Sequence, residues 1–270
     1  MENLINGLKT NRSFAVSSLL VLALLALAAA APVLSPYDPV EATMQNAYLE
    51  PSAEHIFGTD KLGRDVFSRI LYGARYSLSG VLLLVAVIFL VGTSLGIISG
   101  YYGGKVDTVI MRISDMMISF PGMILAIAIA GILGGSLVNA VIALTIVSWT
   151  KYARLARSMV LRVKKNLYIE AAVVNGTKTW KILLVHVLPN MVTQMVVTAA
   201  ADIGTMMLEL ASLSFLGFGA TAPTPEWGLM LNEGRTYMAK APWLMIYPGI
   251  AIVICVVIFN MLGDSIRDVL

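Results

Sequence analysis

Six apolar stretches, spread along the whole chain, constrain this sequence more than any other feature. They are Phe14–Leu34, Leu78–Ser99, Met116–Leu133, Leu137–Trp149, Met191–Phe215 and Trp243–Leu262. About 20 mostly apolar residues in a helix cross roughly 30 Å of hydrocarbon. Inside lipid the backbone must satisfy its own hydrogen bonds, so such runs become helices. The expected fold class is therefore all-α and integral to a membrane, with about six transmembrane helices. The fourth stretch is short and should continue into the basic residues that follow it. Composition agrees, with 58% of residues apolar and 13% charged, against about half and a quarter in soluble domains. A net charge of +3 gives no reason to expect nucleic acid as a partner; lipid is the expected one. Cys255, the single cysteine, lies in an apolar run and can form neither an intrachain disulfide nor a thiolate metal cluster.

Lys9 and Arg12 precede the first stretch, which ends in Ala29-Ala30-Ala31. That pattern shares features with a signal peptide, but the apolar run is longer than a usual signal core. It is read as a retained first helix. Lysine and arginine in the loops set the orientation. The segment from Lys151 to Lys181 carries Lys151, Arg154, Arg157, Arg162, Lys164, Lys165, Lys178 and Lys181, with Glu170 as its single acid. This loop should be cytoplasmic. The segment 35–76 has more acids than bases, and 217–242 is balanced, so both should lie outside. Counting spans then puts both termini in the cytoplasm. The expected organisation is a tail and first helix over 1–34, an external loop over 35–76, and a membrane core over 77–270 with a cytoplasmic loop at about 151–190.

Gly92, Gly96, Gly100 and Gly104 recur every four residues. Such glycines line one helix face and let a second backbone approach closely, so a packing role is expected. The basic loop reads Tyr168-Ile169-Glu170-Ala171-Ala172-Val173-Val174-Asn175-Gly176 and later Leu188-Pro189-Asn190. This pattern predicts a short helix, a glycine turn, a second helix, and a proline where the next span starts. Glu170 can cap or pin the first helix. Ala171 and Ala172 leave a smooth face, and Gly176 permits a turn that a side chain would obstruct. Pro189 is tolerated at a helix start, where its missing N–H costs nothing. The product is a rigid projecting knob with no nucleophile–base pair, suited to transmitting force rather than to catalysis.

Glu170-Ala171-Ala172, then Gly176, then Leu188-Pro189 resembles the signature loop of membrane subunits of binding-protein-dependent ABC importers. Three further stretches resemble the second permease subunit of the dipeptide, oligopeptide and nickel branch: His55 to Arg69; Leu213 to Gly219 with Pro225-Glu226-Trp227-Gly228; and Phe259 to Asp268. The resemblance covers nearly the whole chain. It implies a type I ABC importer permease fold in a bacterial or archaeal cytoplasmic membrane. It also implies a second homologous permease, two ATPase subunits and an extracytoplasmic solute-binding protein. The loop from Glu170 to Pro189 would dock in a groove of the ATPase. ATP and Mg would bind those partners, leaving no cofactor on this chain. His186 stands where the family usually has an aliphatic residue, which leaves its role open.

The run Asp202 to Leu208, with Thr221 to Thr224, looks more like nickel-type than peptide-type members. Nickel or a metal chelate is the expected cargo, with dipeptides or oligopeptides as the alternative. Asp202 and Glu209 lie seven apart on nearly one helix face, and ionisable groups at membrane depth usually face a pathway or a partner. Met206 and Met207 offer soft sulfur, although methionine more often fills gaps in a core. Asp202, Met206 and Glu209 are the candidate translocation-path residues. His55, Asp60, Arg64 and Asp65 suggest an external loop ordered by salt bridges or touching the binding protein. No catalytic residue and no metal site are expected on this chain. His55 and His186, the only histidines, should lie on opposite sides of the membrane. The segment Ser99 to Val106 comes nearest to a phosphate-binding loop and fails at both ends. A rival reading, a stand-alone secondary transporter or channel, leaves the basic loop unexplained.

Overall fold

A computed structural model describes residues 11–269. Lys9, counted above in the basic N-terminal tail, lies outside the described residues. Helix α1 spans Arg12–Leu34, α2 Val66–Tyr102, α3 Gly104–Ile118, α4 Gly122–Leu133 and α5 Leu137–Val163. The short helices α6, Leu167–Val174, and α7, Thr179–Lys181, lead through a π-helical segment, Ile182–Val187, into α8, Pro189–Phe215. Helix α9 spans Trp227–Gly234 and α10 Trp243–Val269. The fold is all-helical. Helices α1, α2, α8 and α10 are each long and apolar enough to cross a membrane, and the pair α3 and α4 makes a fifth candidate if counted together. Helix α5, at 27 residues, is long enough to cross, but its second half is basic.

Two spans differ from the sequence reading. Helix α2 has 37 residues, or about 56 Å at 1.5 Å per residue, well over the roughly 30 Å of a hydrocarbon core. The helix is therefore longer than one crossing needs, and it begins at Val66 rather than after a loop reaching residue 76. The stretch Met116–Leu133 is not one helix. The chain bends by 95° between α3 and α4. Pro121 lies at the bend, lacks an N–H, and disfavours a helical conformation at Phe120 before it. Asp107 and Asp115 on α3 bind Arg157 and Arg154 on α5, at 2.5 and 2.6 Å. These pairs hold α3 beside the basic half of α5.

The main packed pair is α2 with α5, while α10 packs on α8 and α1. At Gly92 a Cβ would lie 2.5 Å from the Trp149 carbonyl oxygen, and at Gly100 2.8 Å from Val160 Cβ. At Gly96 it would run into the Ala153 carbonyl oxygen. The seam stops there. Gly104 has φ +52° and no neighbour within 4 Å, because the chain turns out of α2 at Gly103-Gly104. On the other side of the bundle, Gly263 of α10 sits against Ala201 of α8.

Candidate functional site

The basic loop is built as a stalk and a knob. Helix α6 is anchored by one buried side chain, Ile169, and exposes Leu167 and Val174, which are 81% and 85% accessible. Glu170 sits in its first turn, where a carboxylate is favoured by the helix dipole. Its side chain is exposed and makes no hydrogen bond to a described residue. Ala171 is exposed and Ala172 half-buried. The end of α6 is a Schellman turn. Thr177 N–H donates to the Ala172 carbonyl and Gly176 N–H to that of Val173, both at 3.0 Å. Gly176 has φ +72°, the left-handed conformation that this motif needs and that glycine adopts without penalty. Pro189 opens α8, where its missing N–H leaves no bond unmade. Leu188, just before it, is half-buried. His186 is half-buried, 6.2 Å from the Tyr168 ring, and its carbonyl accepts from Asn190 at 2.6 Å.

A second constellation lies between α5 and α8. Asp202, Met206 and Glu209, one face of α8, line a cavity of about 260 Å³ together with Lys151, Thr150 and Tyr152 of α5. The geometry thus gathers the three path candidates. It adds a residue that reasoning from sequence placed elsewhere: the Lys151 ammonium lies 2.5 Å from Asp202. In the sequence, Lys151 reads only as a loop charge. The available signal was its position directly after an apolar run ending in Trp149 and Thr150, which places it at the mouth of the span. Met207 points away and is buried in the core.

At the opposite end from α6, the segment before α2 is fixed by buried ions. Arg64 binds Asp60 at 2.6 Å and Glu233 at 3.1 Å, and Arg69 binds Glu233 at 3.0 Å. Both arginines are 1% exposed, so each must be paired to offset its desolvation. His55 Nδ1 lies 2.9 Å from Asp65, which in turn caps α2 by accepting from Ser68 N–H at 2.7 Å. The sequence pattern does not single out Glu233, the acid near the end of α9 that joins both arginines to that helix. Glu226 was also missed as a cap. It accepts from Gly228 and Leu229 N–H at 2.9 and 2.8 Å and from the Ser77 hydroxyl at 3.2 Å. Burial pushes its carboxyl above the usual range, and the two N–H bonds offset part of the rise.

Residues 92–270 match the family described as "Binding-protein-dependent transport system inner membrane component". The chain is 44% identical to the dipeptide transport system permease protein DppC of Alkalihalophilus pseudofirmus, over 97% of this chain and 86% of that one. It is 46% identical to the glutathione transport system permease protein GsiD of Pectobacterium atrosepticum, over 94% and 85%. It is 39% identical to the nickel transport system permease protein NikC of Escherichia coli, over 93% and 91%. A solved inward-facing structure of the MetNI methionine ABC transporter shares the fold, with a TM-score of 0.61 at 19% identity, covering 76% of this chain and 97% of that one. The chain therefore belongs to the family of inner membrane components of binding-protein-dependent transport systems, as the permease subunit of an ABC importer with a type I fold.

Proposed function

We propose that this permease works as one of a pair, moved by two ATPase subunits that dock on the segment 151–190. The observation that carries this reading is the build of α6: one buried anchor, a fixed glycine turn, and apolar side chains left facing solvent. Exposed Leu167 and Val174 would be unfavourable on a free surface and are accounted for by a partner's groove. On this reading the segment is cytoplasmic, in agreement with its lysines and arginines, and the ordered region before α2 faces an extracytoplasmic solute-binding protein. ATP with Mg would bind the ATPase subunits and close them. The knob Glu170–Pro189 would pass that movement to α8, and the permease pair would change from inward-open to outward-open. ATP binds the two states unequally, and that difference supplies the bias. The docking surface is tested by Val174→Asp. It should abolish co-purification of the ATPase subunits while the permease stays in the membrane; retained ATPase binding would count against the docking role.

For the cargo we favour a small solute bearing carboxylates, either nickel held in an organic chelate or a short peptide, over a bare metal cation. The Lys151 ammonium neutralises Asp202 and so weakens the cavity's pull on a free dication, while the mixed charges of Lys151, Asp202 and Glu209 suit a zwitterion. The relatives include nickel, dipeptide and glutathione permeases, so chelate and peptide both stand. Uptake by the reconstituted complex separates them. Labelled nickel with and without a carboxylate chelator is compared with a labelled dipeptide. Chelate-independent nickel uptake with no dipeptide uptake would overturn this assignment.

A further inference from the structure

One face of α2 is committed to α5 through its glycines. On the nearly opposite face, Ser94, Ile97 and Ile98 meet the segment that leads into α8. Together with Trp180, Leu184 and Leu188 they line a groove of about 320 Å³. Its walls are almost wholly apolar, and its outer lip is open: Trp180 is 60% and Leu184 56% exposed. Lys178 and Lys181, both exposed, bracket Trp180 in sequence. Lys181 lies three residues before Leu184, on the same side of the helical segment. An apolar trough therefore carries an exposed indole on its lip, and that indole is flanked in sequence by two exposed lysines.

We propose that this groove binds an anionic phospholipid, with an acyl chain along Ile97, Ile98 and Leu184 and the phosphate on Lys178 and Lys181. The charge pattern selects this occupant. Indole rings settle at the boundary between headgroups and acyl chains. Each lysine near a membrane surface favours an anionic headgroup about fivefold before screening. An uncharged lipid would gain the apolar contact but not the two ammonium contacts. A lipid seated here props the α7 and π-helical segment against α2, so it would set how firmly movement of α6 reaches α8. That consequence rests on the docking reading above; the binding itself does not.

Trp180 is its own reporter. Trp149, Trp227 and Trp243 are 8% exposed or less, so a quencher on an acyl chain reaches them poorly. The full chain, purified with its partner subunits, is reconstituted in phosphatidylcholine vesicles. These contain a fixed minor fraction of either brominated phosphatidylglycerol or brominated phosphatidylcholine. Trp180→Phe supplies the background from all other tryptophans. The difference signal should be quenched about tenfold more sensitively by the brominated phosphatidylglycerol. The double variant Lys178→Gln, Lys181→Gln should lose that preference while keeping the quenching by phosphatidylcholine. Equal quenching of the wild type by the two lipids would overturn the proposal, as would a preference that survives loss of both lysines. Absence of any Trp180-dependent quenching would also overturn it, because another subunit would then cover the groove. Failure of the docking reading appears separately, in Val174→Asp, and leaves these outcomes unaffected.

Discussion

Substitutions at Gly176 separate two contributions that a single variant would merge. The residue has φ +72°, yet nothing lies within 4 Å of where a Cβ would sit. Any cost of alanine there is therefore backbone strain, about 1–2 kcal/mol for an ordinary residue in the left-handed region. Asparagine tolerates that region better and can replace glycine in the same turn. Tryptophan adds bulk to the surface on which the ATPase would seat. A cost of about 1 kcal/mol lowers the population of the formed turn, relative to its frayed state, roughly fivefold. The assay is uptake into proteoliposomes divided by ATP hydrolysed in the same sample, with permease level checked by blot. Gly176→Asn should stay near the wild-type ratio. Gly176→Ala should lower the ratio by about fivefold or more. Gly176→Trp should bring it close to zero with ATP hydrolysis persisting. Normal uptake per ATP in the tryptophan variant would refute the reasoning. Equal losses for alanine and tryptophan would locate the effect in the turn rather than in the docking surface.

Gly96→Leu should force α2 from α5 at Ala153 and Ala156. It should cost about 1–3 kcal/mol from overpacking, read as a lower thermal unfolding midpoint in detergent. Gly249→Leu, with nothing within 4 Å, is the control and should leave the midpoint unchanged. Asp202→Asn keeps the side chain's shape and one acceptor oxygen for Lys151, whose own side chain is 61% exposed and can be solvated, so assembly should survive. Uptake should nevertheless fall, and unchanged uptake would remove Asp202 from the path. Glu226 carries a pH signature. Its folded value is raised above the free acid's 4.5, so its contribution is fully present below that value and is lost as pH rises through the folded value. Glu226→Gln keeps an oxygen for the Gly228 and Leu229 N–H groups and should flatten this decline in unfolding midpoint with pH. An unchanged slope would place the effect on another group.

What the sequence made legible is what local chemistry dictates. Spans follow from lipid as solvent, which needs only a run of apolar residues. The turn at Gly176 follows from a glycine placed just past a helical stretch. The seam of Gly92, Gly96 and Gly100 follows from four-residue spacing, although the same spacing wrongly extended it to Gly104, where the helix has ended. Pro121 was equally visible, but the stretches on both sides are apolar, and averaging over a window hides a bend that one missing N–H produces. Partners distant in sequence were not legible. Lys151 with Asp202 depends on how α5 meets α8, and Arg64 and Arg69 with Glu233 on how the start of α2 meets α9, which no local pattern specifies.

The basic segment shows why a charge can be read correctly for one purpose and incompletely for another. As a block, its lysines and arginines predict the cytoplasmic side. In the folded chain they divide. Lys151 pairs with Asp202, and Arg154 and Arg157 pair with α3, while Lys164 donates to the Tyr101 carbonyl at 2.7 Å. Arg162, Lys165, Lys178 and Lys181 make no ion pair with a described residue, and they lie along the stretch that carries α6 and α7. The orientation rule counts charge on the chain as it inserts, so later pairing inside the fold does not weaken it. The paired charges fix α5 as a rigid stalk. The unpaired ones stay at its tip, around the apolar knob and the groove beside Trp180, where an ATPase surface or a lipid headgroup can meet them.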